Sequence, residues 1–134
     1  MKLILFLDEE GGMLFNRRRQ SQDRCAREYI LEKAAGSRLW MNPYSAKQFG
    51  EGAPILISES PQREAEDEDY VLIENLPVTL EGAREVILIL WNRLYPSDVS
   101  FDKRRLAAQG FSLIESEEFA GHSHEKITVE IYRR

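Results

Sequence analysis

The chain has 134 residues and a net charge of −5 at pH 7, with 43% hydrophobic and 31% charged residues. This composition is typical of one folded domain spanning 1–134, and the acidic balance argues against nucleic acid as a partner. The single cysteine, Cys25, excludes an internal disulfide framework and a cysteine-based zinc site. The longest apolar run, 86–91, is too short to span a membrane. Because the N-terminal run lacks a cleavage site, we expect a cytoplasmic protein with no membrane partner.

The first half of the chain alternates buried strands with helices. Residues 2–8 form a continuous apolar run, which predicts a strand buried on both faces. A helix is predicted over 21–36, with Ser21 as its N-cap and Gly36 at its C-terminal end. The other predicted elements of this half are a strand over 38–41, a short helix over 42–49 that begins at Asn42 and Pro43, and a strand over 54–58.

The second half is dominated by strands. An acidic surface connection over 59–69 precedes them, and the segment 76–83 forms at most two helical turns. The predicted strands are 70–75, 84–93, and an alternating pair, 111–120 and 126–134, which is typical of an antiparallel hairpin. The order predicts an α/β fold with a mixed sheet, mainly parallel in its first half, with helices on both faces and an antiparallel C-terminal hairpin.

Three stretches resemble dihydrofolate reductase. "LILFLDEEGGM" is similar to the opening strand and glycine-containing loop of that family, and "RLWMNPYSAKQF" followed by "PILIS" is similar to its second strand, short helix and third strand. "EVILILWNRLYPSDVSFD" and the C-terminal hairpin resemble the last third of the family. The resemblance implies a dihydrofolate reductase-like fold across most of the chain.

The resemblance also identifies a catalytic candidate and a difference in the cofactor site. It places Asp23 near the family's catalytic carboxylate, where burial would raise its pKa; the alternative is a carboxylate that complements the helix dipole. The family holds NADPH with a Gly-Gly pair and a Gly-Arg-x-Thr turn. In the family the pair follows a fifth parallel strand, and the chain has no such strand and pair between 70–75 and 84–93; its turn corresponding to Gly-Arg-x-Thr, 42–45, has no arginine. We therefore expect no NADPH cofactor, although Ser45 still offers a hydroxyl.

Three consecutive arginines, Arg17, Arg18 and Arg19, form the strongest candidate ligand site. Guanidinium groups bind phosphate and carboxylate in a bidentate manner. The arginines follow strand one, and Tyr44 and Ser45 follow strand two. Because the carboxyl ends of parallel strands share one edge, we expect these residues to lie in loops that flank one crevice near Asp23 and bind a small anionic ligand. The alternative is a solvated turn that pairs with nearby glutamates.

The two histidines give a weaker signal. His122 and His124 have i, i+2 spacing in a turn, but no further ligands accompany them, so no metal site is predicted. The chain also lacks a His-x-His-x-Asp-His cluster, which predicts no ribonuclease Z activity.

Three functions therefore stay open. The preferred one is a reductase-like fold that has lost its NADPH site and binds a small anionic or nucleotide-like ligand. The alternatives are an active NADPH-dependent reductase of a pterin or pyrimidine, with Asp23 as acid, and a non-enzymatic protein-interaction module. Whether the protein is an enzyme, and its oligomeric state, are not determined by the sequence.

Overall fold

A computed structural model describes all residues 1–134 and contains ten strands and four helices. In chain order the strands are β1 (Lys2–Leu7), β2 (Gly12–Phe15), β3 (Arg18–Arg19), β4 (Leu39–Met41), β5 (Leu56–Ile57), β6 (Tyr70–Leu72), β7 (Glu85–Leu90), β8 (Val99–Ser100), β9 (Ser112–Phe119) and β10 (Ile127–Arg133). The helices are α1 (Arg24–Lys33), α2 (Pro43–Ala46), α3 (Pro61–Glu64) and α4 (Arg104–Ala108). None of these helices has the length and apolar character needed to cross a membrane.

The main sheet has seven strands in the order β5-β4-β6-β1-β7-β10-β9. The strands from β5 to β7 run parallel to one another, whereas β10 is antiparallel to both β7 and β9. The predicted α/β class, with a mainly parallel first half and an antiparallel C-terminal hairpin, is confirmed. The two edges differ, because β5 has only two residues while β9 has eight, most of them exposed.

Strand β1 lies in the middle of this sheet and is buried on both faces, as its continuous apolar sequence predicts. On one face Ile4 and Phe6 belong to a cluster that includes Ile30 of α1. On the other face Leu5 belongs to a cluster that includes Leu106 of α4. Helices therefore cover both faces, and full burial of each large aliphatic side chain contributes roughly 1.5–3 kcal/mol.

Helix α1 is shorter than predicted. Its N-cap is Asp23 rather than Ser21, because the Asp23 carboxylate accepts hydrogen bonds from the first-turn backbone. Gly36 has a φ of 84°, but it lies in the turn beyond the helix. The segment 76–83 forms no helix. Helix α3, within the acidic connection, and helix α4 were not predicted, since helices of four or five residues are too short to show a period.

The arginine-rich stretch is a β-hairpin and not the loop expected from the sequence. Strands β2 and β3 pair across a two-residue turn formed by Asn16 and Arg17, whose φ angles are 51° and 64°. Such turns need positive φ at both central residues, which asparagine tolerates better than arginine does. The hairpin also pairs with β8 in a separate three-stranded sheet. We call residues 12–19 the arginine hairpin.

The strained turn predicts that Arg17→Gly stabilises the protein. Glycine removes the steric cost of positive φ, about 1–2 kcal/mol, but has greater freedom in the unfolded chain, so we expect a net gain of about 0.5–1 kcal/mol and a melting temperature higher by about 2–4 °C. Thermal denaturation measures the shift. The control, Arg18→Gly, lies in β3 without a positive φ and should lower the melting temperature. A lower melting temperature for Arg17→Gly would contradict the argument.

Candidate functional site

Polar and aromatic side chains collect where the parallel strands of the main sheet end. Asp8 follows β1, Asn42 follows β4, Trp91 follows β7, and Glu74 lies two residues beyond β6. All four are buried. Because the carboxyl ends of parallel strands lie at one edge of the sheet, these residues form the floor of a single region, which is where open α/β sheets bind ligands.

Asp8 holds this region together through its carboxylate. It accepts hydrogen bonds from the backbone N–H groups of Glu10 at 2.8 Å, Gly12 at 2.7 Å and Tyr95 at 3.3 Å, and from the Gln20 side chain at 2.8 Å. Burial alone would raise the pKa of Asp8, but these hydrogen bonds outweigh it and lower the pKa below its usual value. The ionised carboxylate therefore fixes both ends of the arginine hairpin and the start of the segment at Tyr95.

An open cleft of about 470 Å³ lies between the arginine hairpin and the segment after β7. Its positive side chains are Arg18, which is exposed and makes no ion pair, and Arg19. The remaining lining residues are the aromatic Phe15 and Tyr95, the polar Asn16 and Gln20, and Pro96. We call this the basic cleft. Its position beside the carboxyl edge of the sheet is where the sequence placed a crevice.

Arg19 and Tyr44 come together as the topology predicted. The Arg19 guanidinium lies 4.4 Å from the centre of the Tyr44 ring, and the Arg19 backbone N–H donates to the Tyr44 hydroxyl at 2.8 Å. The same guanidinium forms a 3.1 Å ion pair with Glu74, which also accepts from Gln48. Arg19 is therefore held in place and largely neutralised before any ligand binds, so most of the net positive charge of the cleft comes from Arg18.

Two of the predicted ligand residues lie away from the cleft. Arg17 occupies the exposed turn of the hairpin and is not part of the cleft lining. Ser45 is fully buried, and its backbone N–H donates to the side chain of Asn42. The expected contact between Ser45 and a ligand stays a prediction, and in this conformation the hydroxyl is buried and the N–H is occupied.

Asp23 is buried at the start of α1 and its carboxylate is saturated with hydrogen bonds. It accepts from the Cys25 N–H at 2.8 Å in the helix. It also accepts from the backbone N–H groups of His122 at 3.0 Å and Ser123 at 2.8 Å, and it contacts His124 Nδ1 at 2.9 Å. The residue that sequence reasoning placed on the helix is thus bound to a turn about 100 positions later in the chain.

These contacts determine which protonation state of Asp23 the fold favours. Burial raises the pKa of the Asp23 carboxyl, but the hydrogen bonds from His124, His122, Ser123 and Cys25 outweigh it and hold the pKa far below its usual range. These hydrogen bonds favour the ionised form of Asp23, and its expected role as an acid stays a prediction.

His124 extends the Asp23 interaction to two hydroxyl groups that sequence reasoning did not connect with it. Its Nε2 lies 3.0 Å from Ser21 Oγ and 3.1 Å from the Tyr95 hydroxyl. The ring is buried and stacks on Trp91 at a centroid distance of 4.7 Å. His122 is exposed, so the two histidines differ in environment. Ser21 and His124 are separated by 103 positions in the chain, so no local sequence pattern indicates that the two side chains are in contact.

Comparison with known proteins defines the fold only. No protein-family model matches the chain, and no curated protein matches it in sequence. Among solved structures, dihydrofolate reductase from Enterococcus faecalis, complexed with NADP(H) and RAB-propyl, superimposes with a TM-score of 0.69 over 99% of this chain and 95% of that one. The sequence identity is 10%. The chain therefore has a dihydrofolate reductase-like fold, as its sequence pattern predicted.

The saturated carboxylate predicts a pH-dependent loss of stability in Asp23→Asn. An asparagine keeps one acceptor but turns an NH₂ group toward the N–H donors, so we expect a loss of about 3 kcal/mol at pH 7. Because the folded-state pKa of Asp23 lies below the unfolded value of about 3.9, its ionised form stabilises the fold above that pH, and this contribution falls as the pH drops below it. At pH 3 the difference between wild type and variant should be smaller by about 1 kcal/mol.

Urea denaturation at pH 7 and pH 3 measures this difference. The control is Asp67→Asn, since Asp67 is exposed and makes no side-chain hydrogen bond, and we expect a change below about 0.5 kcal/mol at pH 7. An Asp23→Asn variant as stable as wild type at pH 7, or a loss that grows as the pH falls, would contradict the argument.

Proposed function

We propose that this protein binds a small anionic, nucleotide-like ligand in the basic cleft and does not use NADPH. The observation that carries the proposal is Arg18, an exposed guanidinium without an ion pair, on the wall of a cleft of about 470 Å³. Clefts of this size accommodate small molecules. On a protein with a net charge of −5, a local positive group concentrates anions at one place on the surface.

The basic cleft supplies groups for both parts of such a ligand. Arg18 offers a forked pair of donors for a phosphate or carboxylate. Tyr95 and Phe15, of which Phe15 is 42% exposed, offer aromatic surface on which a planar ring stacks. The Gln20 side chain also lines the cleft. The charge and the aromatic surface together favour a nucleotide-like ligand over a simple inorganic anion.

The connection between β6 and β7 argues against a dinucleotide site. A dinucleotide pyrophosphate needs close approach to a glycine-rich turn that opens a helix. Here the connection forms no helix and contains one glycine, Gly82, far along the segment. The region close to the end of β6 instead holds the buried carboxylate of Glu74, which is paired with Arg19.

We predict that Arg18→Ala weakens binding of a nucleoside monophosphate by roughly 10-fold, because it removes charge-assisted hydrogen bonds of about 1.5 kcal/mol in total. Isothermal titration calorimetry at low salt measures the dissociation constant. The control is Arg63→Ala, which removes an exposed charge from α3 without touching the cleft, and it should leave the affinity unchanged. Equal weakening in both variants would show that binding reflects net charge alone and would contradict the proposal.

We also predict that NADPH produces no saturable change at micromolar concentration. The readouts are tryptophan fluorescence, since Trp91 lies at the carboxyl edge of the sheet, and the melting temperature, which a ligand specific for the folded state must raise. A nucleoside monophosphate serves as the positive control. Saturable quenching together with a higher melting temperature would favour the active reductase. Failure of every small anion in both assays would favour the protein-interaction module.

A further inference from the structure

The side chains of Ser21, His124 and Asp23 form a hydrogen-bonded series with the geometry of a serine nucleophile, a general base and an orienting carboxylate. Ser21 Oγ lies 3.0 Å from His124 Nε2, and His124 Nδ1 lies 2.9 Å from Asp23 Oδ2. These are the distances at which such groups act together in acyl transfer on unrelated folds. We infer that Ser21 is an activated nucleophile, with His124 as its base and Asp23 as a positioning residue.

The hydrogen-bond partners fix which histidine nitrogen accepts the serine proton. The ionised Asp23 carboxylate accepts hydrogen bonds and cannot donate one, so Nδ1 of neutral His124 carries the ring proton. Nε2 is then the acceptor, and it points to the hydroxyl of Ser21. This is the tautomer that general-base catalysis requires.

The base is rigid and the nucleophile is accessible. The His124 ring stacks on Trp91, which in turn stacks on Phe6 at a centroid distance of 4.8 Å. Ser21 is half-buried and borders a recess of about 10 Å³ next to Trp91 and Arg19, a volume that holds about one water molecule. A fixed base beside a half-buried serine differs from a network in which every residue is buried.

Donors for an oxyanion are also present at this place. The backbone N–H groups of Ser21 and Gln22 donate to no acceptor in the protein. Backbone N–H groups beside a nucleophile stabilise the negative charge that develops on a substrate carbonyl oxygen. In contrast, the N–H groups of the first turn of α1 are already paired with Asp23 and are not available.

Tyr95 competes with Ser21 for the same histidine nitrogen. Its hydroxyl lies 3.1 Å from His124 Nε2 and 3.4 Å from Ser21 Oγ. A neutral imidazole nitrogen has one lone pair, so it accepts fully from only one of the two hydroxyls. When Ser21 donates to the ring, Tyr95 donates to Ser21 Oγ. The nucleophile is therefore partly restrained in the ligand-free protein, and Tyr95→Phe removes the restraint.

The reaction that these groups support is ester hydrolysis. Ser21 Oγ attacks the carbonyl carbon while its proton moves to His124 Nε2. The bond to the leaving alkoxide breaks, and that oxygen takes the proton from His124, which leaves an acyl group on Ser21. Water then attacks the acyl carbon, gives a proton to His124, and releases the carboxylic acid as Ser21 recovers its proton. No oxidant or reductant is needed.

The neighbouring cleft indicates the substrate class, and this step rests on the proposed function. Gln20 and Arg19 line both the recess at Ser21 and the basic cleft, and Tyr95 connects the cleft with Ser21. An ester whose acyl or alcohol part carries a phosphate or carboxylate would place the anion near Arg18 and the carbonyl carbon near Ser21.

The test is covalent labelling of the full chain with diisopropyl fluorophosphate, a neutral probe that needs no anion site. We expect one adduct per chain, located on Ser21 by peptide mass spectrometry. Labelling should be absent in Ser21→Ala and at least 10-fold slower in His124→Gln, should be faster in Tyr95→Phe, and should be unchanged in the control Ser97→Ala. Circular dichroism and melting temperature show whether each variant is folded. If His124→Gln does not fold, Tyr95→Phe and Ser21→Ala still decide the outcome.

Several results would overturn the inference. One is the absence of any adduct on the folded wild-type chain, and another is an adduct on a residue other than Ser21. A third is labelling of Ser21 at the same rate in His124→Gln and wild type. Titration of the wild-type chain with a nucleoside monophosphate separates this inference from the proposed function, because the neutral probe tests Ser21 whether or not an anion binds. Labelling without anion binding would retain the nucleophile and reject the anionic substrate.

Discussion

The buried carboxylate of Asp23 is the interaction on which the arrangement of the site depends. It joins the start of α1 to the turn between β9 and β10, about 100 residues later in the chain. Burying an unpaired carboxylate costs several kcal/mol, and here hydrogen bonds from backbone, hydroxyl and imidazole donors offset that cost. Gly121 makes the contact possible, since a Cβ there would lie 2.8 Å from the carboxylate. The position of the histidine ring depends on the same contact.

Two carboxylates together determine where the arginine hairpin lies. Asp8 fixes the hairpin at Gly12 and Gln20, and Asp23 fixes the chain that leaves it. The segment between them carries Arg18 and Ser21, so both residues are held by a chain whose two flanks are anchored to buried carboxylates. Both carboxylates stay ionised near neutral pH because their hydrogen bonds lower their pKa values. The two carboxylates therefore position this segment through hydrogen bonds within the protein.

Local sequence patterns predict the fold well and the chemistry poorly. The apolar run of β1 and the alternation of β10 are visible within a few residues, because side-chain periodicity there follows burial. The prediction for Asp23 is correct in its place at the start of the first helix, whereas its partners in the C-terminal hairpin could not be read from local sequence. The prediction of Ser21 as an N-cap is wrong because Asp23, two residues later, caps the helix. Asn16 is the local feature that indicates a hairpin turn, because asparagine tolerates positive φ. The arginine that follows it is not typical of such turns, so the sequence does not predict the hairpin.

The two edge strands of the main sheet determine how readily copies of the protein associate edge to edge in concentrated solution. An exposed edge strand offers unpaired backbone groups to which a second chain can add, and this begins aggregation. Strand β5 avoids this by its length of two residues, although its Ile57 is 58% exposed. Strand β9 is long but carries Glu115, Glu117 and Glu118. Two copies aligned edge to edge would bring these like charges together, so the acidic character of the chain protects its longest open strand.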